Sequence, residues 1–112
     1  MTPAAERAAR EEARIEYLIA SVESLAGAQF IRNGEVYDAH AAVEHLRFKL
    51  RIAGARVRTA EDFIRCCASA SSVSGQPYQI RFADGRVVPA AEFLRQKLAE
   101  FDRRYAPGAS GR

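Results

Sequence analysis

Two short turn signals constrain the fold of this 112-residue chain more than any other feature of its sequence. They are Asn-Gly at 33–34 and Asp-Gly at 84–85. Asn-Gly is the strongest two-residue hairpin signal, because both positions of the turn tolerate a positive φ angle. Strand-forming segments flank the two signals, over 29–37 and 78–88. The sequence therefore predicts two short β-hairpins.

Each predicted hairpin is followed by a segment with apolar residues at helical spacing. The first segment contains His-Leu-Arg-Phe-Lys-Leu at 45–50, and the second contains Phe-Leu-Arg-Gln-Lys-Leu at 93–98. We interpret this similarity as an internal repeat of two ββα units. The two hairpins are then expected to share one small antiparallel sheet, with the helices packed on a single face of that sheet.

The fold class predicted from these patterns is α+β, with about four helices and two short β-hairpins. Hydrophobic residues make up 48% of the chain and charged residues 28%, as in an ordinary globular protein. We expect a single domain over 1–105, with its core at 15–98. The helix start at 1–14 has no apolar stripe and is expected to be solvated, and the tail at 106–112 is expected to be disordered. The helices are predicted over 3–26, 39–53, 59–70 and 89–105.

The overall charge of the chain does not indicate a partner. The chain has 17 basic and 14 acidic residues, and a formal net charge of +3 is too small to argue for one. The stretch 46–58 is unbalanced, because it holds five basic residues and no acidic one. Arg47 and Arg51 lie one helical turn apart there, which leaves weak nucleic-acid binding open as an alternative, although no recognition motif accompanies them. No run approaches the about 20 apolar residues that a transmembrane segment needs.

The two cysteines are adjacent in the third predicted helix. A disulfide between neighbouring residues needs a geometry that a helix does not supply, so we expect none. At about 100° per residue, Cys67 falls on the apolar face and Cys66 on the opposite one. Cys67 is therefore predicted to be a small core residue.

Four motifs occur in order along the chain, at 30–34 (Phe-Ile-Arg-Asn-Gly), 45–49 (His-Leu-Arg-Phe-Lys), 59–64 (Thr-Ala-Glu-Asp-Phe-Ile) and 71–78 (Ser-Ser-Val-Ser-Gly-Gln-Pro-Tyr). Together they resemble the YfeK-like family of small bacterial proteins of unknown function. Members are usually exported, so the resemblance implies a periplasmic or secreted protein. The chain shows no signal peptide, which makes a cytoplasmic location the alternative. The resemblance implies no activity, cofactor or catalytic residue.

The two histidines do not have the spacing of a metal site. Helical zinc sites place two histidines four residues apart, on one face. His40 and His45 are five residues apart, which puts them about 140° apart around a helix. We expect no metal and no cofactor.

A hydrolase acting on an envelope polymer is a second alternative. It would use a serine of the 71–78 loop with His45 and with Asp38 or Asp84. The chain has no G-x-S-x-G or S-x-x-K motif, and serines that follow helices commonly form turns.

The function that we expect is that of a non-enzymatic accessory protein of the cell envelope, which binds a ligand or a partner. The occupant is expected to be an envelope protein or a polar or anionic small ligand. His45 and Lys49 flank the apolar stripe of their helix, so both can present polar tips to the 71–78 loop. In the open alternative, His45 and the serines hydrogen-bond to one another and only hold this loop in place. The candidate binding residues are Arg32, Asn33, His45, Arg47, Lys49, Ser71, Ser72, Ser74 and Tyr78.

Overall fold

Two hairpins form the four-stranded antiparallel sheet of the computed structural model, which describes residues 2–71 and 73–105. The strand order is β2-β1-β3-β4, so the first strands of the two hairpins pair at the centre of the sheet. The expected shared sheet is therefore confirmed. Ser72 and the tail at 106–112 lie outside the described residues. The strands are β1 (Gln29–Arg32), β2 (Glu35–Tyr37), β3 (Gln79–Arg81) and β4 (Val87–Pro89).

Four helices accompany the sheet, as predicted. They are α1 (Pro3–Glu23), α2 (Ala39–Ala53), α3 (Ala60–Phe63) and α4 (Ala90–Arg104). The helix α2 follows β2 and the helix α4 follows β4, which gives the two ββα units. Two boundaries differ from the prediction: α1 ends at Glu23 rather than near residue 26, and α3 is short and continues as a π-helical turn over Ile64–Ala68.

Side chains that cap the helices explain where they begin. The Asp38 carboxylate accepts a hydrogen bond from the amide of Ala41 at 2.8 Å and caps α2. At the start of α3, Thr59 and Asp62 form a capping box in which each side chain accepts from the other's backbone N–H. A cap of this kind contributes about 1 kcal/mol to stability. These caps fix the residues at which α2 and α3 begin.

All four helices lie on one face of the sheet. Phe30 of β1 and Ile80 of β3 pair directly and are buried against the helices. Val36 and Val87 belong to the opposite face and are exposed. The helix α1 packs against both α2 and α4. The largest fully buried side chains are Phe63, Leu18, Ile19, Ile64, Ile80, Leu94 and Cys67.

The start of α1 is exposed in its first two turns, but the expected solvated stretch 1–14 does not extend to Arg14. Arg14 donates two hydrogen bonds to the Asp102 carboxylate on α4, from Nε at 3.1 Å and from Nη2 at 2.8 Å. Arg14 also pairs with Glu11, whose Oε1 accepts from the amide of Ala60 at 2.8 Å. This network ties α1 to α3 and α4.

Asp102→Asn is expected to lower the free energy of unfolding by about 1 kcal/mol, because it removes the charge from a partly buried, two-point ion pair. The measurement is urea unfolding at low and high salt, with a smaller loss expected at high salt. Glu44→Gln is the control, because among the described residues Glu44 pairs only with the exposed His40. Equal losses in the two variants would contradict a stabilising role for the network.

Within residues 2–71 and 73–105, no helix combines the length and the apolar character that crossing a bilayer requires.

Candidate functional site

Five polar side chains meet at one end of the interface between α2 and the sheet. Arg32 Nη1 lies 3.0 Å from His45 Nδ1, and Arg32 Nη2 donates to Tyr37 Oη at 3.2 Å. His45 Nε2 lies 3.2 Å from Tyr78 Oη. Lys49 Nζ donates to the same Tyr78 Oη at 3.1 Å. We call these five residues the polar cluster.

Local structure explains why these side chains converge. Arg32 and Tyr37 both point to the helix-covered face of the sheet, because Tyr37 pairs with Phe30 and Arg32 is two residues further along β1. His45 and Lys49 are four residues apart on α2 and therefore lie on the same side of that helix. The cluster is thus built from β1, β2 and α2, and from Tyr78, the residue that precedes β3.

The site carries two cations that no described acidic side chain neutralises by an ion pair. Arg32 and Lys49 take part in none of the salt bridges found in residues 2–71 and 73–105. Glu35 reaches the cluster only through Tyr37, whose hydroxyl donates to the Glu35 carboxylate at 2.6 Å. The Nε of Arg32 is buried and has no hydrogen-bond partner among the described residues. The cluster therefore has spare capacity to donate hydrogen bonds to an anion.

Burial lowers the pKa of His45 below its ordinary value of 6.5, and the positive charges of Arg32 and Lys49 lower it further. The neutral imidazole is therefore the form that the folded protein favours near neutral pH. Neutral His45 can accept a hydrogen bond from Arg32 or Tyr78 through one ring nitrogen. An anion bound beside it would favour the protonated form.

The free energy of unfolding is expected to fall as the pH drops below about 6.5, because unfolded His45 then takes up a proton that the folded form does not hold. The loss levels off once the pH is below the lowered pKa of the folded protein. The measurement compares urea unfolding of the wild type and His45→Gln between pH 7.5 and pH 5. Parallel pH curves for the two proteins would contradict this prediction.

Asn33 holds the 71–78 loop against the first hairpin. The Nδ2 of Asn33 donates to Ser71 Oγ at 3.2 Å, and Ser74 Oγ donates to Asn33 Oδ1. Ser71 is buried, and its hydroxyl also accepts from the amides of Val73 and Ser74. Asn33 has a φ of +53°, as its position in the turn requires.

The structure brings together most of the predicted site residues, in two adjoining groups. Arg32, His45, Lys49 and Tyr78 form the polar cluster, and Asn33 with Ser71 and Ser74 forms the loop attachment. Asn33 holds the serines of this loop, and no described serine lies within hydrogen-bond distance of His45, which contacts the loop at Tyr78. Ser72 lies outside the described residues.

Arg47 is the candidate that the structure does not bring to the site. Its guanidinium forms two hydrogen bonds of 3.1 Å with the Glu16 carboxylate on α1. This pairing also neutralises one of the five basic residues in the 46–58 stretch. The partner was not predictable from the local pattern, because Glu16 is distant in the sequence.

A surface groove of about 430 Å³ adjoins the polar cluster. It has three cationic side chains, those of Arg32, Lys49 and Arg56, and none of its lining residues is acidic. Phe48, Ile52 and Val73 are exposed apolar residues of the lining. We call this space the cationic groove. Its lining is completed by His45, Ala53, Cys66, Ser71 and Tyr78.

A second, smaller space lies between the sheet and the helices. It measures about 140 Å³, and its lining is mostly apolar. We call it the inner pocket. Arg32, His45 and Tyr78 line both spaces, so the inner pocket and the cationic groove adjoin at these residues. The other lining residues are Val22, Phe30, Ile31, Tyr37, Ala41, Ala42, Leu46, Ala68, Gln79, Ile80, Ala90 and Leu94.

Sequence reasoning missed Tyr37, and it assigned Arg56 only to the basic stretch 46–58 and not to the ligand site. A signal existed for Tyr37, because a two-residue turn at 33–34 places it opposite Phe30, on the same face as Arg32. Arg56 lies in a 3₁₀ turn over Gly54–Arg56, and no pattern predicts that this turn reaches the groove. Cys66, which was predicted to lie opposite the core face, is exposed and belongs to the groove lining, whereas Cys67 is buried.

The two histidines have separate surroundings. His40 Nε2 lies 3.5 Å from the Glu44 carboxylate on the exposed side of α2, whereas His45 belongs to the polar cluster. Among residues 2–71 and 73–105, no three side chains of the metal-binding types come together as a site.

Comparisons with known proteins agree with the resemblance of the four sequence motifs. A family model described as "Family of unknown function (DUF5329)" matches residues 9–102. The chain is similar to "Uncharacterized protein YfeK" of Salmonella typhimurium (strain LT2), with 43% identity over 70 residues. That match covers 62% of this chain and 58% of the relative, so it spans less than two thirds of the relative's length. No solved structure matches the chain.

Proposed function

The chain belongs to the DUF5329 family of unknown function, and we propose that this member is a non-enzymatic protein that binds a small anionic ligand in the cationic groove. The observation that carries the proposal is the charge of the groove. Arg32, Lys49 and Arg56 line it without an acidic neighbour in the lining. Bringing like charges together without a counterion is unfavourable, and a bound anion removes that cost.

The hydrogen-bonding groups of the cluster support the same proposal. The Arg32 guanidinium has planar donors suited to carboxylate or phosphate oxygens, and its Nε has no partner among the described residues. Lys49 adds an ammonium group, whose present acceptors are Tyr78 Oη and the Ala70 carbonyl oxygen. An anion between the two cations would accept charge-assisted hydrogen bonds from both.

The geometry gives less support to the two alternatives. A hydrolase needs a nucleophile beside its base, and the hydroxyls of Ser71 and Ser74 are engaged by Asn33 and by the loop backbone instead. Nucleic-acid binding through the 46–58 stretch would use Arg47, which is paired with Glu16. Neither alternative is therefore our proposal.

Isothermal titration calorimetry with phosphate and with acetate at constant ionic strength tests the proposal. We expect saturable binding of one anion per protein. The affinity for acetate is expected to rise as the pH falls toward the lowered pKa of His45, because protonated His45 adds a third positive charge to the cluster. A single-stranded and a double-stranded oligonucleotide form separate arms of the experiment. Binding of the oligonucleotides without binding of either small anion would overturn the proposal, as would the absence of saturable heat from all four.

We also propose that the protein acts in the cell envelope, as the family resemblance implies. The test is fractionation of bacteria that express the complete gene product with a C-terminal tag. Recovery in the periplasmic or extracellular fraction, with a cytoplasmic enzyme as the control, would support the proposal. Recovery only with the cytoplasmic enzyme would contradict it.

A further inference from the structure

We infer that the ligand is an amphipathic anion, whose charged group binds at Arg32 and Lys49 and whose apolar part of about six carbon atoms occupies the inner pocket. This inference rests on the proposed function and adds the chemical class of the ligand. The inference follows because the cationic groove and the apolar inner pocket adjoin at the same three residues, Arg32, His45 and Tyr78.

The shared lining residues provide the first argument. Arg32, His45 and Tyr78 contact both the cationic groove and the inner pocket. A charged group hydrogen-bonded to Arg32 therefore lies at the boundary of the pocket. An apolar chain attached to that group can enter the pocket without moving the charge away from its partners.

The unpartnered Nε of Arg32 provides the second argument. The other two nitrogens of this guanidinium already contact His45 and Tyr37, at 3.0 and 3.2 Å. A buried donor without a partner is unfavourable and is uncommon in native proteins. A turn of the Arg32 side chain toward a bound carboxylate or phosphate oxygen would uncover this nitrogen and supply that partner.

The size and chemistry of the inner pocket provide the third argument. Its volume of about 140 Å³ is close to that of an engineered apolar cavity of about 150 Å³ that stays dry and binds benzene. The polar part of its lining consists of Gln79 and the ring or charged tips of Arg32, Tyr37, His45 and Tyr78. The rest of its lining consists of aliphatic residues and Phe30. One aromatic ring or a six-carbon chain therefore matches it in size.

The experiment measures the affinity of straight-chain carboxylates from acetate to decanoate by calorimetry. We expect the affinity to rise about fourfold with each methylene that enters the pocket, and to level off near six carbons. Intermolecular NOEs from the terminal methyl group of hexanoate to the methyl groups of Leu46 and Leu94 are expected, because both residues line the pocket.

Ala42→Leu is the informative variant, because Ala42 lines the inner pocket and does not line the cationic groove. It is expected to lower the ratio of hexanoate to acetate affinity at least tenfold. Ala99→Leu is the matched control, because Ala99 is exposed on α4, and it is expected to leave that ratio unchanged. If Ala42→Leu does not fold, the NOEs in the wild type decide whether the hydrocarbon chain of hexanoate lies in the inner pocket.

The failure of this inference is distinguishable from the failure of the proposed function. Equal affinities for acetate and hexanoate would overturn the inference and leave anion binding intact. The absence of binding by every carboxylate would overturn the inference as well, and the phosphate titration then decides the proposed function. NOEs from hexanoate only to Phe48 and Ile52 would place the chain in the groove and would also overturn the inference.

Discussion

Replacing both Arg32 and Lys49 by glutamine is expected to weaken phosphate binding at least about 100-fold, because each charge-assisted hydrogen bond contributes about 1.5–3 kcal/mol. Each single substitution is expected to cost at least about tenfold. Glutamine keeps some length and a donor but removes the charge. The measurement is calorimetric titration with phosphate at constant ionic strength.

A charge-matched control separates the groove from the overall charge of the protein. Arg51→Gln with Arg81→Gln removes the same number of positive charges from exposed positions that do not line the groove. This double variant is expected to bind phosphate within about twofold of the wild type, because exposed charges are screened by salt. Equal losses in the two double variants would show that binding is non-specific.

The structural role of Arg32 calls for a second control. Arg32 also contacts Tyr37 and His45, so its replacement can perturb the hairpin. Far-UV circular dichroism and the midpoint of thermal unfolding report on the fold of each variant. Arg32→Lys retains the charge and is expected to recover part of the affinity lost in Arg32→Gln. A loss as large with lysine as with glutamine would mean that the planar donor fork, rather than charge alone, holds the anion.

Phe63→Ala is expected to lower the free energy of unfolding by about 3–5 kcal/mol, which is the range for truncating a buried phenylalanine. Phe63 is 0% exposed and is the largest of the fully buried side chains. It lies in α3, which packs on α1 and continues into the π-helical turn that contacts both α2 and α4. The cavity left by the substitution would therefore affect the helical layer as a whole. Urea unfolding measures the loss.

Phe48→Ala is the matched control for Phe63→Ala, because it removes the same side chain from an exposed position. Phe48 is 52% exposed at the edge of the groove. Its truncation is expected to cost less than about 1 kcal/mol, because little apolar surface leaves the interior. Similar losses for the two phenylalanines would contradict the described packing of α3.

The parts of the fold that were predictable from sequence are those determined by neighbouring residues. The turn at 33–34 needs a positive φ at both positions, and Asn33 and Gly34 have φ values of +53° and +80°. The caps at Asp38 and Thr59 were recognisable for the same reason. The π-helical turn at the end of α3 was not, because no residue pattern marks it; it lies where the chain packs against both α2 and α4.

The candidate site was predictable only in part, because its chemistry depends on contacts between distant segments. Arg47 and Lys49 are two residues apart on the same helix, and both were predicted to belong to the site. Arg47 pairs with an acidic residue on α1, whereas Lys49 contacts Tyr78 and forms no ion pair with a described acidic residue. No local pattern distinguishes these outcomes. The groove and the inner pocket likewise arise only when the sheet and the helices pack together.

Chemical-shift mapping by NMR during a phosphate titration at constant ionic strength tests most directly whether the cationic groove is an anion site. We expect saturable shifts that are largest for the His45 ring, the Lys49 side chain and the amides of 73–77. The affinity from these shifts should match the calorimetric value. Shifts that do not saturate, or that centre on exposed arginines such as Arg103 and Arg104 far along α4, would contradict the account.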